Sequence, residues 1–204
     1  MAGSAVRASP LALTVLFMLM GGPLHPYEMQ RRMKLWGKEL VVNLAQRASL
    51  YKTIDRLQQA GLIAVSHTER DQRFPERTVY ELTDAGLRVG REWLIEMLAR
   101  PVNEFPRFPA ALSFIFGLEP DEARAMLEHR AALLQEELTK LDQALGSDAA
   151  RRSPRVTLLD GTYLRSMTAA ELEWVRGVID ELRTGTLSWS QDELAASAQA
   201  SLSD

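Results

Sequence analysis

Cysteine is absent from the 204 residues. That absence excludes a disulfide framework, a thiolate zinc site, an iron–sulfur cluster and thiol catalysis. It fits a reducing compartment, and the cytoplasm is the expected location. Histidine is scarce: His25, His67 and His129 stand in unrelated segments, with no H-E-x-x-H pair, no glycine-rich phosphate loop and no G-x-S-x-G elbow. No metal, no cofactor and no enzyme active site is expected. Long hydrophobic runs are missing too. The run 11–20 falls short of the roughly 20 residues of a membrane span. Ser9-Pro10 ahead of it supplies an oxygen cap and a residue pre-set for the first helical turn, and Gly21-Gly22-Pro23 behind it is a poor leader-cleavage site. A buried helix over 10–20 is predicted, rather than a secretory signal, and no membrane partner.

Charge of one sign is lacking overall. Lys+Arg 24 against Asp+Glu 27 gives a net charge of −3, which points to no class of partner. The halves differ, however: residues 1–100 hold 14 Lys/Arg and 10 Asp/Glu, and residues 101–204 hold 10 and 17. A mildly basic half precedes an acidic one.

In the first half, His25-Pro26 starts a second helix with Met29, Met33 and Trp36 on its apolar side. A third spans 43–60, with Leu50, Ile54 and Leu57 at i, i+4 and i+7, and ends at Gly61. Its other face carries Gln46, Arg47, Ser49, Lys52, Thr53 and Arg56, with Asp55 the only acid between Gln46 and Ala60. A hairpin follows: strands over 62–69 and 77–82, and a charged tip over 70–76. Thr83 caps a fourth helix over 84–99, whose apolar stripe is Leu87, Trp93 or Leu94, and Leu98. Three helices and a two-stranded ribbon are the layout of a winged helix-turn-helix over 9–100. In that layout the third helix enters the major groove with its cationic face, Tyr27 and Tyr51 meet phosphates through their hydroxyls, and Arg70, Arg73 and Arg77 grip the backbone from the wing. The bland alternative is a merely solvated face.

The residues Leu24-His25-Pro26-Tyr27-Glu28-Met29, the run 49–63 (SLYKTIDRLQQAGLI) and Val79-Tyr80-Glu81-Leu82-Thr83-Asp84-Ala85-Gly86 resemble the winged helix of the PadR transcriptional regulators. Pro26 stands where that family usually has Gly, and Arg47-Ala48 where it has Pro-Gly.

In the second half, 101–109 reads as a proline-rich linker and 110–116 as a short apolar helix. Pro120 begins a long helix with Leu127, Ala131, Leu134, Leu138, Leu141 and Leu145 in alternating 4,3 spacing, a coiled-coil seam. After a polar break at 146–155, one helix is expected over 158–167. Thr168-Ala169-Ala170-Glu171 then reads as a capping box opening another through Leu172, Val175, Ile179 and Leu182. Such a seam with a shorter amphipathic partner implies pairing with a second copy, with Trp174 also in the interface. The predicted fold is mainly α with a small β-hairpin: an N-terminal winged helix-turn-helix, an all-helical, coiled-coil-like dimerisation domain over 101–189, and a flexible tail over 190–204. The second half resembles the virulence-activator-like C-terminal domain of one PadR subfamily. That resemblance implies a homodimer on a pseudo-palindromic operator in double-stranded DNA, usually a repressor and often ligand-responsive. Most aromatics are read as core, with Trp93, Phe105 and Phe108 as candidate contacts for a small-molecule effector. Two other readings stay open: a winged-helix protein-interaction module, and a small-molecule-binding helical protein without DNA binding.

Overall fold

Ser9 opens the first helix as a cap, its side chain accepting from the Ala12 backbone N–H at 3.2 Å with Pro10 in the first turn. The computed structural model describes residues 7–38, 41–42, 47–71 and 74–190, with backbone alone for 47–48, 69–71 and 74–76. The chain divides into two units between Asn103 and Glu104, three residues beyond the expected boundary at 100. The tail from residue 191 and the stretch 43–46, where the third helix was expected to begin, lie outside the described residues.

The first unit contains α1 (Pro10–Leu19), α2 (Pro26–Leu35), α3 (Arg47–Gln59), β1 (Ile63–Asp71), β2 (Phe74–Leu82) and α4 (Asp84–Ala99). Helix α1 is apolar nearly all round, so it sits in the middle of the core, burying Ala12, Val15, Leu16, Met18 and Leu19. Against it pack Met29 and Met33 of α2, then Leu50, Ile54 and Leu57 of α3, all completely or almost completely withdrawn from water. Each such side chain contributes about 1.5–3 kcal/mol. Gly61, at φ 70°, ends α3, and the Leu62 N–H returns to the Leu57 carbonyl at 2.9 Å, a Schellman closure. β1 and β2 pair antiparallel, and Leu24 adds an isolated bridge to Tyr80, with Leu24 N–H to Tyr80 carbonyl at 2.9 Å and the reverse bond at 3.0 Å.

Three expectations are corrected in this unit. Trp36 is not the third apolar position of α2 but its C-cap residue, and it is 53% exposed; the helix stops one residue before the pattern would use it. The wing strands run into the segment expected as a tip, with Asp71 opposite Phe74 and irregularities between Val65 and His67 and between Glu69 and Asp71. A two-stranded ribbon has two open edges, so Pro75 can sit in it without breaking a ladder bond. Helix α4 turns inward the face with Ala85, Gly86, Val89, Gly90 and Trp93, leaving Leu87 and Leu98 exposed. The glycines decide that face. A Cβ on Gly86 would stand 1.9 Å from the Leu62 carbonyl oxygen, and one on Gly90 3.3 Å from Leu16 Cδ1.

The second unit contains α5 (Arg107–Leu112), a 3₁₀ turn (Ile115–Gly117), α6 (Pro120–Leu145), α7 (Asp148–Arg152), a second 3₁₀ turn (Arg155–Leu158) and α8 (Leu159–Thr184). The short helix thus starts inside the expected linker, because Pro106 and Pro109 fall before and within a first turn whose N–H groups have no helical acceptor. The expected break at 168 does not occur either: α8 runs unbroken for 26 residues. The residues before Thr168 include no proline, so the helix passes through the capping-box sequence, and Glu171 pairs with Arg130 of α6 instead.

That continuity changes the leucine seam. α6 is also 26 residues long, about 39 Å, so α8 matches it and covers the seam within one chain. Leu127, Val175 and Ile179 form the buried cluster, joined by Ala131, Leu134, Val178 and Leu182. Leu141 is buried, Leu138 half-buried, and Leu145 packs at Gly161 of α8. The inference that this seam requires a second copy is therefore corrected: its partner is α8 of the same chain.

The two flanks of the α6–α8 pair differ. At about 100° per residue, one flank carries Arg165 with Asp142, Arg176 with Gln135 at 2.9 Å, and Arg183 with Glu128 at 3.2 Å. The other carries the Arg130–Glu171 pair and the exposed apolar side chains Met126, Leu133, Tyr163, Met167 and Trp174.

Candidate nucleic-acid interface

Helix α3 is anchored by Leu50, Ile54 and Leu57, and at 100° per residue the direction opposite that anchor passes through Lys52 and Gln59, with Asp55 and Arg56 on either side. Lys52, Asp55, Arg56 and Gln59 are all exposed, as is Tyr51 on the flank. Ser49 and Thr53 lean toward the opposite flank and are half-buried, and the Thr53 hydroxyl donates back to the Ser49 carbonyl at 2.8 Å. The structure thus brings Lys52 and Arg56 to the outward face, leaves Tyr51 on one flank of it and turns Ser49 and Thr53 away from its centre. Arg47 is the first residue of α3; its side chain, like that of Arg70, lies outside the described residues, as do Gln46 and Arg73 entirely.

Helix α2 presents Tyr27, 56% exposed, in its first turn. The Tyr27 N–H donates to His25 Nδ1 at 3.1 Å, so the imidazole caps α2. Sequence reasoning passed over this helix as a source of charge, although Arg31, Arg32 and Lys34 are visible in it. Arg31 and Arg32 are held by Glu28, at 3.0 and 2.9 Å. The Arg32 hydrogen bond keeps the Glu28 carboxyl below its ordinary value, against the opposing effect of desolvation and with the Arg31 charge adding to the lowering.

At the wing, Arg77 stands opposite Glu69 in the ladder and is half-buried. Tyr80, at the root of the wing, has its phenol pushed up, first by burial and then by the Asp55 carboxylate and Tyr51. The Thr83 hydroxyl donates to the Gly61 carbonyl at 2.8 Å, with the Leu62 carbonyl at 3.0 Å, and accepts from the Gly86 N–H at 3.0 Å. The end of α3 and the start of α4 meet at this one side chain.

A winged helix whose reading helix is pinned from behind and cationic in front matches a known family model, that of the "Transcriptional regulator PadR-like family", over residues 15–92. This segment is a PadR-like domain. The PadR-like domain begins within α1 and ends within α4, so it contains both the candidate reading helix and the wing. Solved structures extend the likeness to most of the chain. Bacillus subtilis PadR in complex with operator DNA matches with a TM-score of 0.70 and 21% identity, covering 85% of this chain and 99% of that one. The same protein with p-coumaric acid gives 0.67 and 21%, covering 85% and 98%. The Vibrio cholerae virulence activator AphA gives 0.64 and 17%, covering 85% and 98%. At these identities the likeness is one of fold: the chain has the fold of a PadR-family transcriptional regulator. No curated protein sequence matches it. Among the described residues no helix is long and apolar enough to cross a membrane.

The three aromatics singled out for an effector are not brought together by one core. Trp93 packs against the core of the first unit. Phe105, at φ 50°, is 82% exposed. Phe108 lies edge-on to Trp174, centroids 6.1 Å apart, with the Arg130 guanidinium 3.5 Å above its ring. That guanidinium is also bound by Glu171, Nε to Oε1 at 2.7 Å, a cation–π stack inside an ion pair. Sequence reasoning missed Arg130. It also missed the apolar flank of α8, although the 4,4,3,4 spacing of Leu159, Tyr163, Met167, Ala170 and Trp174 carries the signal.

Proposed function

We propose that this chain is a cytoplasmic, sequence-specific DNA-binding regulator that represses transcription as a homodimer on a pseudo-palindromic operator. The observation that carries the reading is the outward pair Lys52 and Arg56, flanked by Tyr51, on a helix whose opposite side is locked into the core by Leu50, Ile54 and Leu57. A helix held in that way can be pressed into a major groove without losing its packing, and its cations meet phosphates and base edges. Tyr27 and the wing residue Arg77 add backbone contacts, joined by Gln46, Arg47, Arg70 and Arg73.

The second copy docks on the apolar flank of the α6–α8 pair, through Trp174, Met167, Tyr163, Met126 and Leu133, rather than on the leucine seam. Exposed apolar patches of that extent mark interaction surfaces, while the opposite flank is closed by ion pairs. A small aromatic effector is proposed by analogy with the B. subtilis PadR complex with p-coumaric acid, and Trp93, Phe105 and Phe108 are tested separately as contacts by single substitutions and tryptophan-fluorescence quenching.

Selection of bound fragments from the source genome tests the reading, followed by titration at several salt concentrations. Binding falls linearly in log–log form, with a slope of about −0.9 per phosphate contacted. Lys52→Ala with Arg56→Ala weakens operator binding about tenfold or more and flattens that slope by about 2 per half-site, about 4 for the dimer. Unchanged affinity in the double variant refutes the assignment of the reading helix.

A further inference from the structure

The outward face of α3 contains one residue of the wrong sign for a phosphate surface. Asp55 is exposed, lies on the outward face between Gln59 and the flanking Tyr51, and forms no ion pair among the described residues. Glu28 of α2, by contrast, is held by two arginines of its own helix. Asp55 is also poorly placed for stability. It is the ninth of the 13 residues of α3, well beyond the first turn where the helix dipole stabilises an anion, and Lys52 three residues earlier has the less favourable order for a helical pair. A carboxylate that neither stabilises its helix nor neutralises a neighbour, set in a cationic face, breaks the local rules. Such breaks concentrate at functional positions.

The chemistry of duplex DNA limits what Asp55 can meet. Phosphate oxygens and the carbonyl and ring-nitrogen acceptors of the bases repel an acceptor-only group. In the major groove the donors are the exocyclic amino groups, N4 of cytosine and N6 of adenine. We propose that Asp55 is a specificity-determining residue of the reading helix, accepting a hydrogen bond from one exocyclic amino group in each half-site while its charge repels backbone-only encounters. This rests on the DNA-binding reading given above.

The test is a parallel selection from random duplexes by the full chain and by its Asp55→Ala and Asp55→Asn variants. Competition titrations on every single-base change of the wild-type site follow. The expected result for Asp55→Ala is loss of roughly tenfold or more of discrimination at one base pair per half-site, unchanged preferences elsewhere, tighter binding to unrelated DNA, and an unaltered salt slope. Asp55→Asn, of nearly the same shape, keeps part of the preference. The base that wild type prefers at that position, cytosine or adenine, identifies which amino group is read. Both variants are expected to unfold at or above the wild-type temperature, because the carboxylate they remove lies well beyond the first turn where the helix dipole stabilises an anion. Identical base preferences in wild type and Asp55→Ala, or a uniform loss at all positions, overturn the proposal while leaving the regulator reading intact. A wild-type chain that enriches no site overturns both.

Discussion

The two units solve the problem of covering apolar surface differently. In the first, three helices and the root of the hairpin close around α1, and among the described residues fifteen apolar side chains are buried. In the second, seven are buried, six of them in two helices of equal length that lie side by side and two of the seven being alanines. A helix pair has one shared seam and two flanks. One flank here is tied by arginine–carboxylate pairs and the other leaves Trp174 half exposed. Both units leave large apolar side chains in water, Leu35, Leu87, Ile95 and Leu98 in the first and Leu133, Tyr163, Met167 and Trp174 in the second, so what sets the first apart is the deeper core that it closes by itself. A deeply buried first unit and a thinly buried helical pair fit the proposed division of labour between DNA recognition and pairing of copies.

The comparison is broken most severely at Gly86. An alanine there sets its Cβ against the Leu62 carbonyl, a backbone atom that cannot turn aside, so Gly86→Ala destabilises the first unit by about 3 kcal/mol. Urea unfolding followed by a probe in each unit shows the loss in the first unit alone. Equal loss in both contradicts the idea of separately closed cores.

Next in size is the apolar flank. Met167→Asp with Trp174→Asp raises the dimer dissociation constant more than a hundredfold, about 2.7 kcal/mol. Sedimentation over a concentration series measures it, and Tyr27→Asp in the other unit serves as the control that leaves association unchanged. If the double variant sediments as wild type does, the second copy docks elsewhere.

The smallest effect is acid sensitivity, and each unit has a carboxylate to report it. Glu28 is held below its ordinary value chiefly by the Arg32 hydrogen bond, and Glu128 chiefly by Arg124 at 3.1 Å and then Arg183. A lowered folded-state value means that the stabilisation is fully present above the ordinary carboxylate value and is lost as pH falls through the lowered one. Both pairs are solvent-screened, so Glu28→Gln and Glu128→Gln produce only slight flattening of the acid limb of stability against pH. A marked change in either places a more deeply covered ion pair at that site.

Sequence signals worked where the cause lies within a few residues. Ser9 and Thr83 are caps because an oxygen stands three residues before an unpaired N–H, and Gly61 ends α3 because the chain there must turn left-handed. Leu50, Ile54 and Leu57 announce one face of a helix wherever the rest of the chain lies. Signals failed where periodicity gives a face without naming its cover. The leucine seam of α6 is equally good packing for a second copy and for α8, and the choice depends on α8 being one helix. Thr168 to Glu171 has the composition of a start but lies in the middle of a segment with no reason to stop. In α4 the apolar count favoured Leu87 and Leu98, whereas the fit of Gly86 beneath the Leu62 carbonyl decided which side faces inward. Asp55 was visible in the sequence as the sole acid of its stretch, but its isolation from the arginines emerges only in three dimensions.

Thr83 joins three pieces of the PadR-like domain through one hydroxyl: the last turn of α3 by way of Gly61 and Leu62, the end of the wing, and the first turn of α4. With Gly86 seated against the same Leu62 carbonyl, the joint has almost no slack. Helix α4, 16 residues long, is thus keyed at its first turn to the end of α3, so the two helices and the wing root share one hydrogen-bonded corner in addition to their common core.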